Sequence, residues 1–137
     1  MRRLTLLSVL ALGLAACGGS AAQRNLKITL GRSGGTMVPW SVTIAPDGSL
    51  TTQGSPPAKP KSLTSAKDAE LSRLVRSDFA KLKSEQCAGT FPDESGMFIT
   101  ALGKTVSVRG DCENGFNNVW NELAFTLGES GGHISTN

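Results

Sequence analysis

Met97-Phe98-Ile99-Thr100-Ala101-Leu102-Gly103-Lys104-Thr105-Val106-Ser107-Val108-Arg109 is the stretch that decides the fold. Apolar and polar residues alternate on both sides of Gly103-Lys104, the period-two signature of half-buried strands. Glycine at the first central position suits a type II′ turn. Centring the hairpin there sets Ala101 opposite Val106 and Ile99 opposite Val108. Met97, Ile99, Ala101, Val106 and Val108 then share a dry face, while Phe98, Thr100, Leu102, Thr105, Ser107 and Arg109 share a wet one.

Upstream, Leu26, Ile28 and Leu30 alternate with Lys27 and Thr29 until Gly31-Arg32-Ser33-Gly34-Gly35 interrupts the pattern. Trp40, Val42 and Ile44 alternate again, and Pro46-Asp47-Gly48 supplies turn chemistry before a return strand over residues 49–53, giving an antiparallel meander. Pro56, Pro57 and Pro60 confine residues 54–61 to a loop. Ser65 then caps a helix with Asp68 three residues on, and Leu71, Leu74, Val75, Phe79 and Leu82 line its buried side. Glu70 with Arg73 and Asp78 with Lys81 are spaced as ion pairs on the wet side. A last helix over residues 115–127 buries Phe116, Val119, Trp120, Leu123 and Leu127, with Asn114 as its N-cap and Gly128 as its stop.

The order β-β-β-α-β-β-α predicts an α+β fold: a single two-layer domain, with an antiparallel sheet of about five strands and two helices packed on one face. Its expected bounds are residues 25–128, with a disordered tail over 129–137.

The first 24 residues carry a different message. Arg2 and Arg3 precede an apolar run from Leu4 to Leu14, followed by Ala15, Ala16 and Cys17. This is the layout of a secretory signal, and the apolar run is too short to span a bilayer core that needs roughly 20 helical residues. The stretch Leu14-Ala15-Ala16-Cys17-Gly18 resembles the lipobox of bacterial lipoproteins. That resemblance implies cleavage after residue 16, a lipid on Cys17 and a membrane as partner. Two or three acyl chains hold a protein permanently. Residues 17–24 then form a tether reaching at most about 25 Å. Gly18 rather than Asp after the cysteine implies sorting to an outer membrane facing the periplasm, or an outward-facing cell membrane in a host with one membrane.

Removing the leader lowers the formal charge from +3 to about +1. No basic stripe remains to neutralise phosphates, which excludes nucleic acid as a partner. Export also carries Cys87 and Cys112 into an oxidising compartment, where a pair is bridged. Closing that loop contributes roughly 3.5 kcal/mol in the chain-entropy picture. A zinc site would need four ligands, and the single histidine, His133, lies in the Gly/Ser-rich tail. The same histidine cannot serve a nucleophilic triad. The acidic clusters Asp93-Glu94 and Asp111 with Glu113 sit beside turn residues and read as solvated loops. The glycines at 31, 34 and 35 lead into a strand rather than a helix N-terminus, so they do not cradle phosphate. These readings predict no catalytic residues, no metal and no cofactor.

Binding remains. The candidate contacts are the loop over residues 32–39 with Arg32, Gly34 and Met37, the Pro-rich loop over residues 56–61, and the outer-face pair Phe98 and Leu102. Arg32-Ser33-Gly34-Gly35, the strand from Val42 to Ile44, Asp78-Phe79-Ala80-Lys81-Leu82, the second hairpin and the final amphipathic helix together resemble the emfourin type of bacterial protein inhibitors. That resemblance implies a small α+β protein that inhibits thermolysin-like metallopeptidases. The sequence therefore leads to two expectations: a noncatalytic lipoprotein domain that binds or scaffolds envelope components, or a tethered peptidase inhibitor.

Overall fold

A computed structural model describes residues 25–56, 62–87, 90–110, 112 and 115–128. The expected signal peptide over 1–16, the expected tether over 17–24 with Cys17, much of the Pro-rich segment, Asn114 and the tail with His133 lie outside the described residues. Six strands, β1 (Ile28–Ser33), β2 (Trp40–Ile44), β3 (Leu50–Gly54), β4 (Glu85–Gln86), β5 (Gly96–Ala101) and β6 (Lys104–Arg109), join two helices, α1 (Ser65–Ser77) and α2 (Phe116–Thr126). The strands form one sheet in the order β3-β2-β1-β5-β6-β4. The class is α+β.

The sheet differs from the expected five antiparallel strands by β4, which pairs parallel to β6 through Glu85 opposite Val108 and Gln86 opposite Arg109. Two residues are too short to alternate, so nothing local announces this strand; only its neighbour makes it one. β1 also runs on through Gly31 and Arg32 instead of breaking there. The register explains why. Gly31 lies opposite Ser41 on one side and Phe98 on the other. A Cβ at Gly31 would stand 2.8 Å from the Phe98 ring and would overlap the Trp40 carbonyl. Glycine here is a strand residue over which a neighbouring ring lies, rather than a breaker.

The β5–β6 turn falls one residue earlier than expected. Leu102 and Gly103 both take positive φ, at 53° and 72°, the type I′ geometry. Ala101 therefore pairs with Lys104 and Ile99 with Val106. Partners move by two positions, so parity survives and Ile99, Ala101, Val106 and Val108 are all buried. What changes is Lys104, which joins the inner side. Its ammonium donates to the carbonyls of Ala80 and Leu82 at 2.8 and 2.9 Å and lies 5.2 Å from the centre of the Phe79 ring. Leu102 becomes the turn apex and no longer shares the outer face with Phe98.

The inner face of the sheet and both helices form one core. Ile28, Leu30, Trp40, Val42 and Ile44 meet Leu71, Val75, Phe79, Phe116, Val119, Trp120 and Leu123. α1 is fastened where β1 begins: Asp68 receives a 2.5 Å hydrogen bond from Asn25, and the Leu26 amide donates to the Ser72 hydroxyl at 2.9 Å. Its N-cap is Thr64, which accepts from the Lys67 amide at 3.3 Å, rather than Ser65. Asp68 is thereby free of capping and serves as the buried anchor for Asn25. The helix stops at Ser77, and a 3₁₀ turn over Phe79–Lys81 carries Phe79 into the core. Glu70 pairs with Lys67 instead of Arg73, whereas Asp78 and Lys81 do pair, at 4.0 Å. α2 lies over the other half, with Trp120 against Trp40 at 6.1 Å between ring centres. Leu127 is buried and Gly128, at φ 76°, ends the helix as expected.

Two outcomes follow. A leucine in the left-handed region costs about 1 kcal/mol, so Leu102→Asn, which installs the preferred Asn-Gly turn, should stabilise by about that amount in thermal unfolding. Burial pushes the Asp68 carboxyl above its ordinary value, with the Asn25 hydrogen bond opposing and the Asp47 charge adding to the rise. A carboxyl raised in the folded state holds its proton more tightly there, so its contribution is greatest at low pH and is lost as pH rises through the folded value. Denaturant titrations of wild type and Asp68→Asn across pH 3 to 7 should show that loss in the wild type only.

Candidate functional site

Strand direction sorts the loops into two ends. β1 begins beside α1 and runs to Ser33, and its antiparallel partner β5 begins at Gly96, opposite Ser33. The loop after β1 and the loop before β5 therefore share one end, while Asn25, the Ala45–Ser49 turn and Leu102-Gly103 share the other. The two ends are separated by roughly 20 Å, the length of a six-residue strand.

At the end where β1 stops, Gly34 and Gly35 both take positive φ. A Cβ on Gly35 would overlap the Asp93 carbonyl and stand 2.8 Å from the Ser95 amide, so the two loops lie backbone to backbone. Each of these loops carries an exposed apolar side chain: Val38 is 69% exposed and Phe91 70%. At the same end a cleft of about 250 Å³ is lined by Arg32, Ser33, Pro39, Trp40, Ser41, Gln53, Gly54 and Phe98. The Arg32 guanidinium lies 3.9 Å from the Met97 sulfur, and Trp40 is held from behind by Trp120. This lining contains no carboxylate, thiol or imidazole, so it offers shape, one cation and amide and hydroxyl groups for binding.

Of the residues singled out from sequence, Arg32 and Phe98 line this cleft, and Gly34 and half-buried Met37 belong to the adjoining loop. Leu102 does not; it sits at the opposite end, 42% exposed. Val38 falls within the candidate loop over residues 32–39 without being named from sequence, whereas Phe91 and Gln53 are missed altogether. The only signal for Val38 and Phe91 is an isolated apolar residue beside a proline in a polar loop, and Gln53 joins only through the β2–β3 register.

The same end carries the cysteines. Cys87 follows β4 and Cys112 follows β6, with Cα atoms 5.5 Å apart, at disulfide distance. The Cys87 amide also donates to the Arg109 carbonyl at 3.1 Å. Glu85 brings a carboxylate within 4.8 Å of the two sulfurs. A bridged pair has no thiolate to give a metal, so this trio stands as a cross-link beside an acidic side chain.

The outer face of the sheet is polar. Thr51, Thr43, Thr29, Thr100 and Thr105 lie side by side across five successive strands. Hydroxyl contacts of 2.9 Å between Thr29 and Thr43 and 2.8 Å between Thr100 and Thr105 tie the row together. Such β-branched cross-strand pairs stiffen a sheet whose outer side has no layer over it among the described residues.

Comparison with family models, with curated proteins and with solved structures returns no match. The site's own geometry is therefore the guide to its role. Gly31→Ala should cost about 2 kcal/mol or more, because the new methyl meets a backbone carbonyl that cannot swing away; a melt of the variant checks this.

Proposed function

We propose that this chain is a membrane-anchored lipoprotein of the bacterial envelope whose domain is a noncatalytic binding module. Partners would dock at the end of the sheet bearing Val38, Phe91 and the Arg32–Phe98 cleft. The observation that carries the reading is polarity. The described chain begins at Asn25, clamped to Asp68, whereas Val38, Phe91 and the cleft lie at the opposite end; of the other exposed large apolar residues, Leu102 is a turn apex at the Asn25 end and Phe125 lies on α2. A tether of at most about 25 Å ending at Asn25 would leave that far end pointing away from the membrane.

The cysteine pair supports an exported location, because bridges persist where the compartment is oxidising. Among the described residues no helix is long and apolar enough to cross a membrane, so the anchor in this reading is the lipid on Cys17. Sorting to an outer membrane, periplasm-facing, follows from Gly18 in the same reading.

Val38, an exposed apolar residue next to a proline on a seated loop, also suits insertion into a peptidase cleft. An emfourin-like inhibitor is thus the second reading, with the partner then being a peptidase.

Cys17→Ser should move the protein from the membrane pellet to the soluble fraction; retention in the pellet would remove the tether. In crosslinked envelopes, Val38→Glu with Phe91→Glu should cut partner recovery roughly tenfold, as expected when the central anchors of an interface are replaced by charges. The control Phe125→Glu, on the exposed side of α2, should leave recovery unchanged. Inhibition of a thermolysin-like peptidase by the wild type and not by Val38→Glu would make the peptidase that partner.

A further inference from the structure

The two edges of the sheet are built differently. β4, at one edge, has two residues, bears Glu85 and is closed off by the Cys87–Cys112 pair. That is how proteins blunt an edge: short length, charge and a covalent tie. β3, at the other edge, has the sequence Leu50-Thr51-Thr52-Gln53-Gly54, without charge, proline or bulge. Four of its five residues are exposed, and no described element pairs with its outer side. Among the described residues, one row of backbone N–H and C=O groups on this neutral strand is therefore left without a ladder partner.

We propose that β3 pairs antiparallel with β3 of a second copy of this chain, joining two six-stranded sheets into one. Full overlap of the five residues puts Thr52 on the two-fold axis, opposite its own copy, with Thr51 opposite Gln53. A two-fold axis normal to the sheet keeps both polar outer faces on one side and both helical layers on the other. A second copy suits this edge better than a foreign peptide. Peptide-binding edges gain specificity from pockets for alternate side chains; here only one end of the strand meets a cleft, through Gln53 and Gly54, and none of the three described clefts has Leu50, Thr51 or Thr52 in its lining. A neutral strand meeting itself brings no like-charge repulsion, and the Thr and Gln side chains find polar partners.

The contact is small. Two five-residue strands bury less than the roughly 1,200 Å² at the low end of stable interfaces, so the pair is weak between freely diffusing molecules. Confinement by a short tether raises effective concentration toward the millimolar range and populates it. This last step rests on the proposed lipid anchor; the edge itself does not.

The test uses the full chain in native membranes with a short thiol crosslinker. Thr52→Cys is expected to give an adduct of twice the chain mass at roughly tenfold the yield of Thr105→Cys, which sits on β6 across the sheet. Thr51→Cys chains co-expressed with Gln53→Cys chains should couple to each other better than either couples to itself, which reports the register without relying on one variant. Equal yields for Thr52→Cys and Thr105→Cys, or an adduct of any other mass, would overturn the proposal. Adding Cys17→Ser should release the chain from membranes and lower the Thr52→Cys dimer severalfold. A chain that stays in membranes despite Cys17→Ser defeats the anchor, while the edge is still judged by Thr52→Cys against Thr105→Cys.

Discussion

One dry face organises this molecule. Ile28 and Leu30, Val42 and Ile44, Ile99 and Ala101, and Val106 and Val108 put two buried side chains per strand on the same side of four neighbouring strands. Each fully buried side chain of this size is worth about 1.5–3 kcal/mol relative to exposure, so a register slip that turned one strand over would be prohibitive. The helices answer to that face. α1 covers the half where β1 begins and α2 the half where β1 ends. The polar outer side is the complement of the same constraint, since every alternate residue must point away from the core.

The ends of the sheet then acquire different characters. Where β1 begins, a buried carboxylate and a serine hydroxyl hold Asn25 and Leu26 to α1. At the other end the loops are held by backbone-to-backbone seating at Gly35 and by the Cys87–Cys112 pair. Val38 and Phe91 stay exposed on the loops fastened there, the feature on which the proposed binding role rests. The two edges are likewise unequal: one is short, charged and cross-linked, and the other is long, neutral and open. In the proposed envelope role, close to a membrane, such asymmetry lets each surface serve a different contact.

The legible part of the structure is the part governed by periodicity. Five of the six strands, both helices, the members of the core face and the stop at Gly128 follow from spacing alone, because burial imposes periods of two and 3.6 on the side chains. The turn between β5 and β6 lies one residue from where local preference for glycine first would put it, since the choice is made by Lys104 reaching the carbonyls of Ala80 and Leu82. Gly31 has the look of a breaker because the Phe98 ring lying over it comes from a strand far along the chain. Of the site, Arg32 and Phe98 can be named from sequence, whereas Gln53 and Phe91 cannot, since no local pattern ties them to that end.

The amino-acid sequence by itself determined the class of the domain, the face each strand buries and a cysteine pairing that spacing and compartment chemistry make natural. Tertiary structure alone decided the sheet order, the parallel β4, the seating of the loops that form the cleft and the open state of the β3 edge. The reason is physical. Periodicity is written residue by residue, but pairing between distant strands depends on which surfaces remain to be covered once the core has closed.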